Sequence, residues 1–370
     1  MGLPLHFGIE EEYFLTDLQS RQMLAEPSVE LLHECRSIIG EAFAFEMFQG
    51  QIEVASPVFS ATGEAADYLA GIRGRLSEAL AQEGIGLLCA GSHPLARWRD
   101  QQPTPLPHFQ QLFEAFQSVA RRSVLSGLHV HVEIPQGIDR IAVMNEVAPW
   151  LPMLLMLSCS SPFWQRENSG FMSYRQVVCD GWPRMGTPEY FVDEADYRNH
   201  LCLLQRIGTI EKGGNGWWGI RPASRYPTLE LRMTDACPRL RDTILLATMF
   251  RVMVAHAVNL PRPGAEFDVT RRRLLKENRW QAKRYGTGGK FVLDERGEVM
   301  SAAQWLDLAR LTFEATARGM GESQLFDQVD ALLLEGNSAS RQLACLAQAG
   351  ASSDAVQQVV DLLLAQTRSS

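Results

Sequence analysis

Three consecutive glutamates, Glu10-Glu11-Glu12, sit inside an apolar and aromatic segment running from Leu5 to Leu15. The flanking Phe7, Ile9, Tyr13, Phe14 and Leu15 favour a strand. Strand side chains alternate between two faces. Glu10 and Glu12 therefore share one face, about 7 Å apart at two residues' rise, and Glu11 lies on the other. No Lys or Arg occurs between His6 and Ser20 to offset the charge. Such a strand is either a solvated acidic edge or one wall of a site for a hard cation such as Mg²⁺. On this phase Glu11 is the least important of the three.

The rest of the chain bounds the choice. Its 370 residues could form one large domain or two average ones, and they suffice to bury a substantial core. A formal net charge of −8 argues against a nucleic-acid partner. Seven cysteines, an odd number with no C-x-x-C spacing, argue against a disulfide framework and a structural zinc site. The reducing cytoplasm is the expected compartment. The N-terminus lacks the pattern of a signal peptide or of myristoylation. The most apolar run, Val147 to Leu157, holds two prolines and reads as too short to span a bilayer, so no membrane role is expected.

Strands are expected at 5–15, 43–48, 51–56, 85–90, 127–134, 215–221 and 227–234, and helices at 28–39, 62–83, 108–123, 138–157, 190–207 and 239–260. Residues 161–188 read as a long loop, rich in Ser, Gly, Pro and aromatics. Beyond 260 the pattern is mostly helical, with a break at 286–299. Several strands are adjacent in sequence, which points to an α+β fold around a largely antiparallel sheet, helices on one face and a site on the other. The whole of 1–370 reads as a single catalytic domain, with 300–370 a helical C-terminal cap. The apolar helices of that cap fit a homodimer.

The chemistry collects on the strands. Glu46 closes one expected strand and Glu53 lies in the next. His129 and His131 share a face opposite Leu128, Val130 and Val132. Glu230 and Arg232 share a face opposite Leu229, Leu231 and Met233. A merely solvated face would carry Thr, Ser, Lys and Gln rather than this set. His-x-His on a strand is a familiar zinc geometry, but the carboxylate excess favours Mg²⁺ or Mn²⁺. One histidine suffices as a ligand, and the other could meet substrate or phosphate. Arg175 and Arg184, in the long loop, suit a carboxylate or phosphate. Lys283 and Arg284 precede a Gly-rich turn that could hold nucleotide phosphates, although no P-loop is present. Lys212-Gly213-Gly214-Asn215-Gly216 reads as a turn.

Taken together, the motifs resemble the type 2 glutamate–cysteine ligases, carboxylate–amine ligases of the glutamine synthetase superfamily. The matching residues are Gly8-Ile9-Glu10-Glu11-Glu12, Glu46 with Gln51-Ile52-Glu53, Gly91-Ser92-His93-Pro94, and His129-Val130-His131-Val132. They continue with Ser161-Pro162-Phe163-Trp164, Ser169 to Arg175, Thr228-Leu229-Glu230-Leu231-Arg232, and Asn278-Arg279-Trp280 leading to Arg284-Tyr285-Gly286. The resemblance implies a glutamine synthetase-like catalytic fold and ATP-dependent amide formation through an acyl phosphate. The donor would be the γ-carboxylate of glutamate, the acceptor cysteine or another amine. It implies Glu10, Glu12, Glu46, Glu53, His129 and Glu230 as ligands for Mg²⁺ ions, Arg232 and Arg175 as catalytic residues, and His131, Lys283 and Arg284 as substrate or phosphate contacts. The chain departs from the family pattern at Trp164 to Asn168 and after Pro183, which leaves the substrates open. The competing readings are a nucleotide- or amino-acid-binding protein without ligase activity and a metal-dependent hydrolase using His129 and His131.

Overall fold

A computed structural model describes residues 5–368 apart from 212–213, 261–268, 295, 351 and 353, so Lys212 and Gly213 of the turn-like run lie outside the described residues. The strands β1 (Phe7–Asp17), β2 (Phe43–Phe45), β3 (Gln51–Ala55), β4 (Ile85–Leu88), β5 (Gly127–Glu133), β6 (Ile220–Pro222) and β7 (Thr228–Asp235) form one sheet. Its order is β6-β7-β5-β1-β3-β2, and β4 pairs with the C-terminal end of β1. Every pairing in it is antiparallel. The fold is α+β, as the adjacency of the strands leads one to expect.

The alternation of β1 sorts the molecule into two sides. Phe7, Ile9, Tyr13 and Leu15 enter a large core with Leu128, Val130, Val132, Leu229 and Leu231. Helices Thr62–Gln82 and Leu240–Asn259 close this side. On the opposite side Phe14 opens a smaller apolar cluster with Phe48, Phe113, Phe163 and Trp182. Glu10 and Glu12, in phase with Phe14, stand beside that cluster.

Three local features differ from the sequence expectation. Strand β2 ends at Phe45, so Glu46 stands just beyond it. There the chain turns to bond the 103–104 segment, with Thr104 Oγ1 donating to the Glu46 carbonyl and Thr104 N to the Met47 carbonyl. The long loop contains a helix, Tyr174–Cys179, whose first turn is capped by Ser173 Oγ accepting from Gln176 N. The apolar helix Arg140–Ser158 does reach membrane-spanning length, through a 3₁₀ turn at Ala148–Trp150 that accommodates Pro149. It is nonetheless a core helix, with every residue from Leu151 to Ser158 buried.

Glu11 is far from idle. It is 1% exposed, and Arg73, 0% exposed, reaches it from the helix behind the sheet with Nη2 2.5 Å from Oε1 and Nε 3.2 Å from Oε2. Thr243 Oγ1 and the Tyr13 hydroxyl also donate to Glu11. Arg73 also donates to the carbonyls of Pro238 (2.7 Å) and Cys237 (2.9 Å). A buried pair stripped of one partner leaves an uncompensated charge, which costs about 3–5 kcal/mol. Glu11→Ala should therefore lower the stability measured by denaturant unfolding by about that amount, whereas Glu10→Gln should change it by less than about 1 kcal/mol. Equal, small effects would show that the pair does not anchor the strand.

Candidate active site

Strand register brings the predicted side chains into rows. Glu10 lies opposite His129, Glu12 opposite Glu53, and Glu230 opposite both His131 and Arg221. Gly8 is the β1 partner of His131. The His131 ring reaches Glu10, its Nε2 3.2 Å from Oε1. Two three-residue clusters result. Glu10, His131 and Glu230 form one, and Glu12, Glu46 and Glu53 the other. In each, one ligand atom per residue lies within 4.8 Å of the others.

The first cluster thus contains His131, which the sequence reading took as a substrate or phosphate contact, with His129 as the metal ligand. His129 sits between the clusters, with Nδ1–H donating to Glu10 Oε2 (3.0 Å) and Nε2 3.6 Å from Glu12 Oε1. That donation leaves a bare lone pair on Nε2, and burial pushes the imidazole pKa down to about 4, with the Arg232 charge adding to the shift. His129 Nε2 is buried and makes no hydrogen bond to any described residue, whereas His131 Nε2 faces Glu10 Oε1 and its Nδ1 lies 3.0 Å from Thr228 Oγ1.

Charge crowding tests whether this face fits a cation. Burial, followed by the charge of Glu46, pushes Glu12 up to about 8. Burial and the charges of Glu46, Glu10 and Glu12 push Glu53 well above the usual carboxylate range, and burial raises Glu46. Without a cation the ionised forms of these groups are disfavoured, and a divalent ion with oxygen ligands would relieve that. Glu10 behaves in the opposite way: burial opposes its ionisation, but hydrogen bonds from His129 and His131 outweigh it and hold the pKa well down. Glu230 is likewise held at about 2, burial being overcome by Arg232 and Arg221. An orphaned imidazole nitrogen and crowded carboxylates whose ionisation is disfavoured together fit hard cations.

Three guanidinium groups border the carboxylates. Arg221 clamps Glu230 with two contacts, Nε to Oε2 at 2.7 Å and Nη2 to Oε1 at 3.0 Å. Arg232 also donates to Glu230. Arg175 fills the space left by Gly127, where an added Cβ would lie 2.3 Å from Arg175 Nη2 and 2.9 Å from His129 Nε2. The Gly127 N–H donates to Glu12 Oε2 at 2.7 Å. Behind Arg175 lies Asp235, 3.9 Å from Nη1 and fully buried, accepting from Ser160 N, Ser161 Oγ and Ser173 Oγ.

Sequence periodicity missed Arg221 and Asp235. Arg221 had a usable signal, since it precedes by nine residues a glutamate on an adjacent antiparallel strand. Asp235 had none. A β-bulge lets Arg232 N and Met233 N share the Gly219 carbonyl at 2.8 and 3.1 Å. It flips the strand's phase, so Asp235 faces the site instead of the core. Lys283 and Arg284 are engaged elsewhere. Lys283 Nζ pairs with Asp180, Arg284 donates to the Gly170 carbonyl, and the Lys283 carbonyl accepts from Met172 N and Ser173 N. Both brace the loop that carries Arg175.

The antiparallel sheet of this α+β fold thus carries one charged face with two carboxylate clusters. The glutamate–cysteine ligase family 2 profile matches residues 6–360, and the chain belongs to that family of carboxylate–amine ligases. A protein of Pseudomonas fluorescens provisionally named glutamate–cysteine ligase 2 is 56% identical, covering 100% of this chain and 96% of that one. A relative of the same name from Ectopseudomonas mendocina is 45% identical over 98% of this chain and 96% of its own. The solved glutamate–cysteine ligase of Francisella tularensis in complex with AMP has a TM-score of 0.71 at 14% identity, covering 100% of this chain and 90% of that one. For the bifunctional glutathione synthetase of Pasteurella multocida the TM-score is 0.72 at 15% identity, and this chain spans 52% of its length. At such identities the structural likeness is one of fold.

The raised carboxylates give a pH signature. A carboxyl whose folded pKa lies above its unfolded one stabilises the native state fully at low pH, and that contribution is lost as pH rises through the folded value. For Glu12 that value is about 8. The melting temperature of the metal-free protein should therefore fall between pH 6 and 9. Mg²⁺ should raise it more at pH 9 than at pH 6, and Glu12→Gln should flatten the slope. A Mg²⁺ response identical at both pH values would contradict the site.

Proposed function

We propose that the protein is an ATP- and Mg²⁺-dependent ligase that joins the γ-carboxylate of glutamate to an amine, cysteine or another, through an acyl phosphate. The observation that carries this reading is the juxtaposition of the two carboxylate clusters with Arg232 and Arg221 on one face of the sheet. Family membership and the AMP bound in the Francisella tularensis relative support nucleotide use. Phosphoryl transfer needs positioning and charge neutralisation more than covalent help from the protein.

Glu10, Glu230 and a histidine would hold one Mg²⁺, and Glu12, Glu46 and Glu53 another. When bound, such ions neutralise the phosphates of the nucleotide and draw charge toward the leaving group. The donor carboxylate oxygen attacks the γ-phosphorus, the bond to the β-phosphate oxygen breaks, and ADP departs. The amine nitrogen then attacks the acyl carbon, the acyl carbon–oxygen bond breaks, and phosphate departs as the amine loses a proton. Arg232 is held in place by Glu230 and keeps the remaining guanidinium N–H groups for the transferring phosphoryl group. Arg175 is oriented by Asp235 and touches the Arg232 carbonyl at 3.4 and 3.5 Å, fixing the edge of the site.

With ATP, Mg²⁺, glutamate and a mixed amine pool, ADP release should require the amine, and mass spectrometry should show the corresponding amide. Arg232→Gln should lower kcat by about 10²–10³, the scale of a lost charge-stabilising donor, with the melting temperature retained. Absence of ADP release, or release that ignores the amine, would contradict the proposal.

A further inference from the structure

A cavity of about 480 Å³ opens where helices Arg140–Ser158, Val269–Tyr285 and Ala302–Gly319 meet. Pro149, Trp150, Leu274, Asn278, Trp305 and Leu308 are among its lining residues, and none of the lining belongs to the carboxylate clusters. Its size is that of a small-molecule site. It is reached from solvent beside Arg271, whose side chain is 47% exposed.

Trp305 is the unusual member of the lining. It is 0% exposed, and its Nε1–H makes no hydrogen bond to any described residue. An indole nitrogen is a donor only, and a buried one normally finds an acceptor. The Asn278 amide does not serve. Its Oδ1 accepts from Val292 N at 2.9 Å, and its Nδ2 donates to the Val292 carbonyl at 2.7 Å. Trp150 lies nearly parallel to Trp305, with 23° between the ring planes and 6.5 Å between centroids, so two flat apolar faces line the same space. The ionisable residues of the lining, Arg271 and Asp294, are of opposite sign, and the cavity carries no net charge to favour an ion.

One wall of the cavity leads to the segment that carries Arg175. Helix Val269–Tyr285 lends Leu274 and Asn278 to the lining. Its next residue, Arg279, donates to Gln176 Oε1 at 2.7 Å and pairs with Asp180 Oδ1 at 2.6 Å. One turn further, Lys283 Nζ also pairs with Asp180, and the Lys283 carbonyl accepts from Met172 N at 2.9 Å and Ser173 N at 3.0 Å. The short helix Tyr174–Cys179, with Arg175 near its start, is thus fastened at both ends to the helix that borders the cavity.

We propose that this cavity is an effector site for a flat, uncharged aromatic molecule with a hydrogen-bond acceptor, and that its occupation steadies the Arg175 segment. The guest ring packs on Trp150 and Trp305, and its acceptor takes the Trp305 N–H. Filling the space between the helices restrains Val269–Tyr285, and the bonds from Arg279 and Lys283 pass that restraint to residues 172–180. Ordering of this kind couples two sites without a change of shape. The inference goes beyond the ligase reading and does not depend on it.

The test compares indanone, a flat bicycle with a carbonyl acceptor, with indane, the same bicycle without it. Binding to the full chain labelled with ¹⁵N-tryptophan is followed by NMR, and the Trp305 indole N–H signal is assigned by its loss in Trp305→Phe. Indanone should shift that signal and bind about three- to tenfold more tightly than indane, the scale of one added hydrogen bond. Trp305→Phe, which keeps a flat ring without a donor, should bind the two equally. Leu274→Trp should fill the cavity and exclude both, and Trp305→Phe still decides the matter if that larger side chain prevents folding. Hydrogen exchange at the Met172 and Ser173 amides should slow when indanone saturates the wild type. A Trp305 signal that indanone leaves in place, equal binding of the two probes by wild type, or a preference that survives in Trp305→Phe would overturn the site. Binding with exchange at Met172 and Ser173 unchanged would overturn the coupling to the Arg175 segment.

Discussion

Mutual repulsion among five carboxylates, Glu10, Glu12, Glu46, Glu53 and Glu230, is the constraint on which the catalytic face depends. The protein offsets it in three ways. Arg221 and Arg232 neutralise Glu230, the imidazoles compensate Glu10, and the remaining three, whose ionisation burial and crowding disfavour, are left for a cation to offset. A face arranged like this is poised to bind positive charge, and in the proposed reaction the triphosphate of the nucleotide would arrive with such charge attached.

The same strand anchors the face from behind. Slipping β1 by one residue would send Glu11 to the site and drive Glu10 and Glu12 into the apolar core. The buried Glu11–Arg73 pair opposes that slip, because its guanidinium and carboxylate satisfy one another only in the observed register. The three consecutive glutamates thus divide into two working residues and one fastener.

Much of this was legible in the sequence. Alternation alone separated Glu10, Glu12, His129, Glu230 and Arg232 from the apolar residues beside them, because a period of two reads directly as a face. Alternation gives no information on which strands are neighbours. The partner of Glu11, Arg73, lies 62 residues away on a helix, so the importance of Glu11 was invisible. That His131 completes a cluster with Glu10 and Glu230 depends on the pairing of β5 with both β1 and β7, a cross-strand effect. The bulge in β7 reverses the parity of Asp235, and no local composition marks it. Lys283 and Arg284 look free in sequence, yet Asp180 and a backbone carbonyl occupy them. Long-range pairing is what the amino-acid order withholds.

In the proposed reaction the sheet would supply the part of the chemistry common to phosphoryl transfer, while the loop from 161 to 188 supplies Arg175. The central claim is that the donor carboxylate itself attacks the nucleotide. Glutamate labelled with ¹⁸O in its γ-carboxylate tests it most directly, by mass spectrometry of the released phosphate. An acyl phosphate requires one labelled oxygen to pass into inorganic phosphate for every amide formed. Phosphate released without the label would contradict it.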